Sequence, residues 1–126
     1  MRGGEGAEVI YALRNNDTLA SKILNNLVNE GQIGRKYYQK RLPSNSSKDY
    51  YYMLRETPNT ESLIIEYGFI DNANDAKKLT NNWQNYAEAV IKAVMDYKGL
   101  KYVPIITADS YIVKSGDTIF MGNNEY

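Results

Sequence analysis

A single glutamate stands inside the most apolar run of the chain. The run extends from Leu63 to Ile70 with Glu66 near its centre, and Asp71 and Asn72 follow it. A continuous apolar run of this length between polar turn residues predicts a strand buried on both faces. An ionised carboxylate in such a strand is costly unless something compensates its charge. Glu66 is therefore a candidate catalytic or metal-facing carboxylate at the carboxyl end of a central strand, where open α/β sheets bind their ligands.

Glu66 also has a structural interpretation. A glutamate in an apolar run can be the partner of a buried salt bridge, or it can lie at the edge of a sheet. The run by itself does not decide between the catalytic and the structural role.

The elements that must position Glu66 follow from hydrophobic spacing. Val9 to Leu13 is an apolar segment that predicts a short strand, and Asn16 or Asp17 suits the N-cap of a helix that ends at Gly31. The polar stretch 32–49 predicts a long loop, with residues 43–47 as its most irregular part. Residues 50–54 then predict a strand that leads to the run containing Glu66.

Two helices are expected after that run. Asn74 suits the cap of a short helix that ends at Leu79, and a longer helix is expected over residues 82–97, with Gly99 ending it. The longer helix carries one apolar stripe, which predicts that it covers a sheet: Trp83, Tyr86, Ala87, Val90, Ile91 and Val94. The fold class is therefore α/β, a partial layered sheet with flanking helices and at least some parallel pairing.

Composition excludes several classes of protein. The chain has 126 residues and 43% hydrophobic content, which suits a single globular domain. A net charge of zero gives no general attraction to nucleic acid. Because the sequence contains no cysteine, it has no disulfides and no thiolate metal ligands. No stretch approaches the ~18 apolar residues of a membrane span.

The sequence around Glu66 resembles the signature strand of a known enzyme family. Residues 63–72, Leu-Ile-Ile-Glu-Tyr-Gly-Phe-Ile-Asp-Asn, are similar to the (V/I)-E-(V/Y)-G-F-(I/L)-x-N signature of the zinc-dependent N-acetylmuramoyl-L-alanine amidases of the amidase_3 type. The preceding segments resemble that family in the same order. They are the G-x-E-V-x-Y strand at 6–11, the helix with Leu19, Ala20, Ile23, Leu24 and Leu27, the loop with Arg35, and the segment 54–57.

The resemblance covers residues 1–98 and implies a function and a site. Family members cleave the amide between the lactyl group of N-acetylmuramic acid and L-alanine in bacterial peptidoglycan. In them zinc polarises the amide carbonyl and activates water, while the signature glutamate acts as general base and then as proton donor. Glu66 matches that glutamate. The resemblance also implies that this chain supplies the later half of a larger sheet.

The zinc ligands of the family do not carry over. They are a histidine in a G-H-G-G turn, a glutamate on an early helix and a second histidine, all upstream of the G-x-E-V-x-Y strand. This sequence contains no histidine. This chain is therefore expected to contain no metal ligands, and zinc is expected only in the complete family enzyme.

A stretch of alternating basic and aromatic residues, 35–41, admits three interpretations. It could stack single-stranded nucleic acid, it could be a solvated loop, or it could line the substrate groove. The zero net charge argues against nucleic acid. The carboxylates of peptidoglycan stem peptides suit Arg35, Lys36 and Arg41, and Tyr37 or Tyr38 could lie against a sugar. The predicted groove residues are Arg35, Tyr37 and Arg55. For the stretch 35–41, the solvated loop is an equal alternative.

The last segment of the chain resembles a second family. Residues 111–120, Tyr-Ile-Val-Lys-Ser-Gly-Asp-Thr-Ile-Phe, are similar to the opening strand and turn of a LysM repeat, a module that binds N-acetylglucosamine-containing chains. The domain prediction is therefore 1–98 for the C-terminal part of an amidase domain, 99–110 for a linker, and 111–126 for an incomplete LysM-like start.

The sequence thus predicts a fragment of a bacterial peptidoglycan hydrolase, located outside the cell or in the cell wall. The alternative is a non-catalytic, wall-associated remnant that binds glycan or a partner. The intact signature around Glu66 favours the enzyme, and the missing ligands favour the remnant.

Overall fold

The structure is a computed structural model, and it describes residues 3–104 and residue 115. The LysM-like stretch, apart from Ser115, and the second half of the predicted linker lie outside the described residues. The described elements are β1 (Ala7–Tyr11), α1 (Thr18–Asn29), β2 (Gly34–Tyr38), β3 (Arg41–Leu42), β4 (Asn45–Asp49), α2 (Tyr52–Arg55), β5 (Leu63–Glu66) and α3 (Ala73–Tyr97).

The main sheet has the strand order β2-β1-β5. Strand β1 pairs in parallel with β2 and antiparallel with β5. Because β1 lies in the middle, its residues Ala7 to Ile10 are buried on both faces, as the apolar pattern requires. The prediction of a partial layered α/β sheet with some parallel pairing is confirmed.

The two faces of this sheet are covered differently. Helices α1 and α3 pack on the face that carries Ala7 and Val9, and they form the larger core with Leu19, Ala20, Ile23, Leu24, Leu27, Tyr86, Ala89 and Ala93. A smaller cluster covers the other face, where Ile10 and Ala12 contact Leu54 of α2. Neither Glu8 nor Glu66 belongs to this smaller cluster, although both lie on its face.

Helix α1 has the predicted limits. Asp17 is its N-cap residue, and the side-chain oxygen of Asn16 accepts a hydrogen bond of 3.1 Å from the Thr18 amide. Gly31 follows the helix with φ +98°, a left-handed conformation that glycine adopts without strain. The following turn brings the chain back along β1, where it forms β2.

The polar stretch 32–49 is not the predicted loop. Residues 34–38 form β2, and residues 41–49 contain the hairpin of β3 and β4. These strands were missed because most of their side chains are exposed, so no alternation of buried positions marks them. Backbone hydrogen bonding to β1 makes β2 a strand.

Two further element predictions were wrong. The expected strand at 50–54 is instead the short helix α2, with Leu54 buried; a short apolar run alone does not distinguish a strand from a helix. The two expected helices at 74–79 and 82–97 are one continuous helix, α3. The polar residues 80–82 do not break it, and the Thr80 hydroxyl donates to the Ala76 carbonyl within the helix at 2.8 Å.

The apolar stripe predicted on α3 is only partly correct. The buried line consists of Tyr86, Ala89 and Ala93. Trp83, Ile91 and Val94 are 60%, 49% and 37% exposed. These three residues form a second apolar face of α3, which nothing in the described part of the chain covers.

Strand β5 is shorter and more exposed than expected. It contains four residues, Leu63–Glu66, and it forms an edge of the sheet; Leu63, Ile64 and Ile65 are only partly buried, and Glu66 is exposed. The prediction of a strand buried on both faces was wrong. Within residues 3–104, no strand pairs with the outer edge of β5.

A free strand edge and an exposed apolar helix face predict that the chain alone self-associates. Light scattering across a concentration series measures this. We expect Trp83→Lys to reduce association, while Tyr52→Lys, a matched change at an exposed aromatic residue of α2, leaves it unchanged. A chain that stays monomeric at all concentrations would contradict the prediction.

Candidate active site

Glu66 is the last residue of β5, and its side chain is exposed. The sequence-based expectation of a buried carboxylate was therefore wrong, because β5 is an edge strand. Among the described residues Glu66 makes no salt bridge, so the buried ion pair of the structural interpretation is not observed, whereas the edge position that the same interpretation allowed is observed. An open carboxylate at the end of a strand is accessible to a substrate.

Glu8 lies directly across from Glu66. The two residues are register partners in the antiparallel pairing of β1 and β5, so their side chains point to the same face. Glu8 is only 6% exposed, and it is compensated by Arg35, whose Nε donates to its Oε1 at 2.6 Å. Two carboxylates, one open and one paired with a cation, thus lie side by side at this end of the sheet.

The position of Arg35 depends on an irregularity in the parallel pairing. Ala7 pairs with Gly34, but Glu8 pairs with Lys36, so Arg35 is an extra residue in β2. A bulge of this kind changes the direction in which a side chain points. Here it allows Arg35 to reach the face of Glu8 and Glu66.

Phe69 and Gly4 complete the surroundings of Arg35. The guanidinium carbon of Arg35 lies 5.0 Å from the centre of the Phe69 ring, in cation–π range. Gly4 packs so closely that a Cβ there would lie 2.2 Å from Nη1 of Arg35 and 3.1 Å from the Phe69 ring. Arg35 is therefore held by an anion, an aromatic ring and the backbone.

Buried Asp75 fixes the segments that carry this group. Its Oδ2 accepts the amide hydrogens of Gly6 and Phe69, both at 2.8 Å, and its Oδ1 accepts from Gln32 Nε2 at 3.2 Å. Asp75 is 0% exposed and lies in the first turn of α3, where a negative charge is favoured by the helix dipole. It thus connects the segment before β1, the turn after α1 and the loop after β5.

Tyr38 lies on the same face as Glu66. It is the register partner of Ile10, and the Lys36 ammonium lies 4.2 Å from the centre of its ring. Burial, the nearby Tyr51 hydroxyl and the negative charges of Glu8 and Glu66 all raise the pKa of Tyr38 above its ordinary value. Its hydroxyl therefore remains protonated at physiological pH and is a hydrogen-bond donor.

The structure brings only one of the three predicted groove residues to the face of Glu66. Arg35 is hydrogen-bonded to Glu8, the cross-strand partner of Glu66. Tyr37 is the register partner of Val9, so it lies on the opposite face of the sheet. Arg55 donates to the carbonyls of Asp49 and Tyr50, both at 2.9 Å, and these bonds stabilise the start of α2.

Sequence reasoning missed Glu8 and Phe69 as members of this group. In the sequence, each of them stands inside a strand motif. A usable signal was present for Glu8, because it is a charged residue in the apolar strand Ala7–Tyr11 and needs compensation in the same way as Glu66. No comparable signal marked Phe69, since an aromatic residue in an apolar run is ordinarily part of a core.

The residues present do not fit a zinc ion. The sequence lacks histidine and cysteine, the ligands that zinc prefers. In the described part of the chain, no three or more acidic side chains are grouped closely enough to hold a metal ion.

One surface groove in the described part of the chain does not include Glu66 in its lining. It measures about 460 Å³ and is lined by polar residues of α3 and by one residue before β1, namely Asn74, Lys77, Lys78, Asn81, Asn82 and Glu5.

None of the helices in the described ranges is long and apolar enough to cross a membrane.

Comparison with known proteins identifies the family. The sequence profile of the amidase_3 family, described as N-acetylmuramoyl-L-alanine amidase, matches residues 1–96. No curated protein matches the chain significantly.

Two solved structures share the fold. One is the CwlD amidase from Clostridioides difficile in complex with the GerS lipoprotein, with a TM-score of 0.60 and 23% identity over 79% of this chain and 49% of that chain. The other is an N-acetylmuramoyl-L-alanine amidase from Clostridium difficile 630, with a TM-score of 0.61 and 22% identity over 81% of this chain and 53% of that chain. The chain thus spans about half the length of these relatives. Because the profile match covers most of the sequence, the chain belongs to the amidase_3 family of N-acetylmuramoyl-L-alanine amidases.

Proposed function

We propose that this chain is the later part of a peptidoglycan hydrolase that cleaves the amide between N-acetylmuramic acid and L-alanine. The observation that carries the proposal is the position of Glu66. It is an open carboxylate at the carboxyl end of β5, beside the Glu8–Arg35 pair and inside the region that matches the family profile.

Glu66 is proposed as the acid–base residue of this reaction. As a carboxylate it accepts a proton from the water that attacks the amide carbonyl. The protonated Glu66 then donates that proton to the leaving amine of L-alanine, which regenerates the carboxylate. Its exposure suits this role, because a group that exchanges protons with substrate must be reachable.

Zinc is proposed only for the complete enzyme and not for this chain alone. Because this sequence has no histidine or cysteine, we propose that another part of the domain supplies the zinc ligands of the complete enzyme. The solved relatives are about twice as long as the matched region, which leaves room for such a part.

Arg35 and Tyr38 are proposed as groove residues on the Glu66 face. Tyr37 and Arg55 are less suited to this role, since one lies on the other face and the guanidinium of the other is occupied by backbone carbonyls. We further propose that the protein acts at the bacterial cell wall, where its substrate lies, and that the LysM-like segment at 111–126 begins a wall-binding module.

The non-catalytic alternative remains, and one observation favours it: the sequence contains no histidine. A remnant of this kind would bind glycan or a protein without cleaving peptidoglycan. The following experiment distinguishes the two functions.

We expect the chain alone neither to bind zinc tightly nor to cleave peptidoglycan, because carboxylates without imidazole or thiolate make a poor zinc site. The same chain joined to an upstream zinc-binding half of an amidase_3 domain should do both. Metal analysis and release of stem peptides from purified cell walls measure these outcomes. Stoichiometric zinc and amide cleavage with the chain alone would overturn the ligand assignment, and no cleavage by the joined protein would support the non-catalytic alternative.

A further inference from the structure

We propose that Arg35, Phe69 and Glu8 form a carboxylate-binding subsite beside Glu66, with Glu8 as the residue that positions Arg35. This inference rests on the proposed function and deepens it. The ligand class is a stem peptide that carries a free carboxylate close to the amide to be cleaved.

Half of the Arg35 guanidinium is unused in the described part of the chain. Its Nε is occupied by Glu8, but within residues 3–104 neither of its two Nη atoms has a hydrogen-bond partner. A guanidinium binds a carboxylate through two parallel hydrogen bonds in a fixed planar geometry. The two Nη groups of Arg35 offer that pair of donors.

The Arg35 side chain is already ordered before any ligand binds. The side chain of Arg35 is 37% exposed, and that of Glu8 only 8%. Glu8 holds the Nε edge, the Phe69 ring lies against the guanidinium, and Gly4 packs against Nη1. Because Arg35 is already ordered on three sides, a ligand loses less of its binding free energy to immobilising this side chain.

The location of Arg35 also supports the subsite. Glu8 and Glu66 are direct cross-strand partners, and such partners have Cβ atoms about 4.5–5.5 Å apart. Arg35 is hydrogen-bonded to one member of this pair, so the subsite lies on the same face and at the same end of the sheet as Glu66. In a stem peptide, the residue that follows L-alanine is a glutamate or its amide, so its carboxyl group lies close to the scissile amide.

The proposal competes with a simpler role for Arg35, in which it only neutralises buried Glu8. That role explains the ion pair, but it gives no function to the two Nη groups or to the bulge that brings Arg35 to this face. The two roles differ in one measurable property, the preference for a free carboxylate over a carboxamide.

The test uses the 126-residue chain and two small ligands, N-acetyl-L-alanyl-D-glutamate and the same dipeptide with both carboxyl groups amidated. Nuclear magnetic resonance titrations give both dissociation constants. We expect the wild-type chain to bind the acid at least about tenfold more tightly than the amidated dipeptide, because only a carboxylate forms charge-assisted hydrogen bonds with the guanidinium. We expect Arg35→Lys to reduce this ratio because an ammonium lacks the planar fork, and Glu8→Gln to reduce it because Arg35 is no longer held.

Two controls make the result specific. Arg41→Lys changes an exposed arginine whose Nη1 donates to the Ser46 carbonyl, and it should keep the wild-type ratio. Glu66→Gln should not lower the ratio, because it removes a negative charge near the bound carboxylate, whereas it lowers turnover in the complete domain; the subsite and the proposed function therefore fail independently. Melting temperatures show whether each variant is folded. Equal binding of acid and amide by the wild-type chain, or an unchanged ratio in folded Arg35→Lys, would overturn the proposal.

Discussion

Replacing Glu66 with glutamine is expected to lower turnover about 10²–10⁴-fold in the complete amidase domain, the usual contribution of a positioned acid–base group. Glutamine preserves the shape of glutamate but does not accept and return a proton. Because Glu66 is exposed and makes no salt bridge among the described residues, the substitution leaves no buried charge without a partner. Stability should therefore change by less than about 0.5 kcal/mol.

Turnover, bound zinc and melting temperature measured on one preparation test this expectation. Glu30→Gln provides a matched control, since Glu30 is an exposed glutamate at the end of α1 and is not one of the residues grouped around Glu66. It should retain normal turnover. Near-normal turnover in a folded Glu66→Gln domain would remove Glu66 from the mechanism, and a large loss of stability would instead assign it a structural role.

The elements that the sequence predicts well are those whose buried side chains recur at a regular apolar spacing. Strand β1 and helix α1 carry regular apolar spacing, and both occur close to their predicted limits. Strand β2 and the hairpin of β3 and β4 carry almost no such signal, because their side chains are exposed and their strand conformation comes from backbone pairing. An exposed strand and a polar loop look alike in a sequence.

The composition of the site could be predicted only in part, because it depends on register. Tyr38 pairs with Ile10 and Tyr37 pairs with Val9, so only Tyr38 lies on the face of Glu66. A register shift of one residue would exchange the two side chains between the faces. The contact between Arg35 and Glu8 requires a bulge at the start of β2, which the sequence does not announce. Glu66 was identifiable because an isolated charge in an apolar run needs an explanation wherever the strand lies.

The second large effect is expected at Asp75. Its carboxylate accepts three hydrogen bonds, from the amides of Gly6 and Phe69 and from the Gln32 side chain. In Asp75→Asn one oxygen becomes an amide group that donates, so it opposes at least one of these donors in a fully buried position. Leaving a buried donor without an acceptor costs about 1–3 kcal/mol, which corresponds to a decrease in melting temperature of roughly 2–8 °C for each kcal/mol at this chain length.

The same substitution should loosen the segments that Asp75 connects, and this distinguishes it from general destabilisation. We expect hydrogen exchange at the amides of Gly6 and Phe69 to accelerate more than exchange in α1. Asp71→Asn is the matched control, because Asp71 is exposed and accepts a hydrogen bond from the amide of Gly3 at 3.0 Å. Its stability should stay within about 0.5 kcal/mol of the wild-type value. If Asp75→Asn unfolds at the same temperature as Asp71→Asn, Asp75 does not organise the loop after β5, and the placement of Phe69 against Arg35 must have another cause.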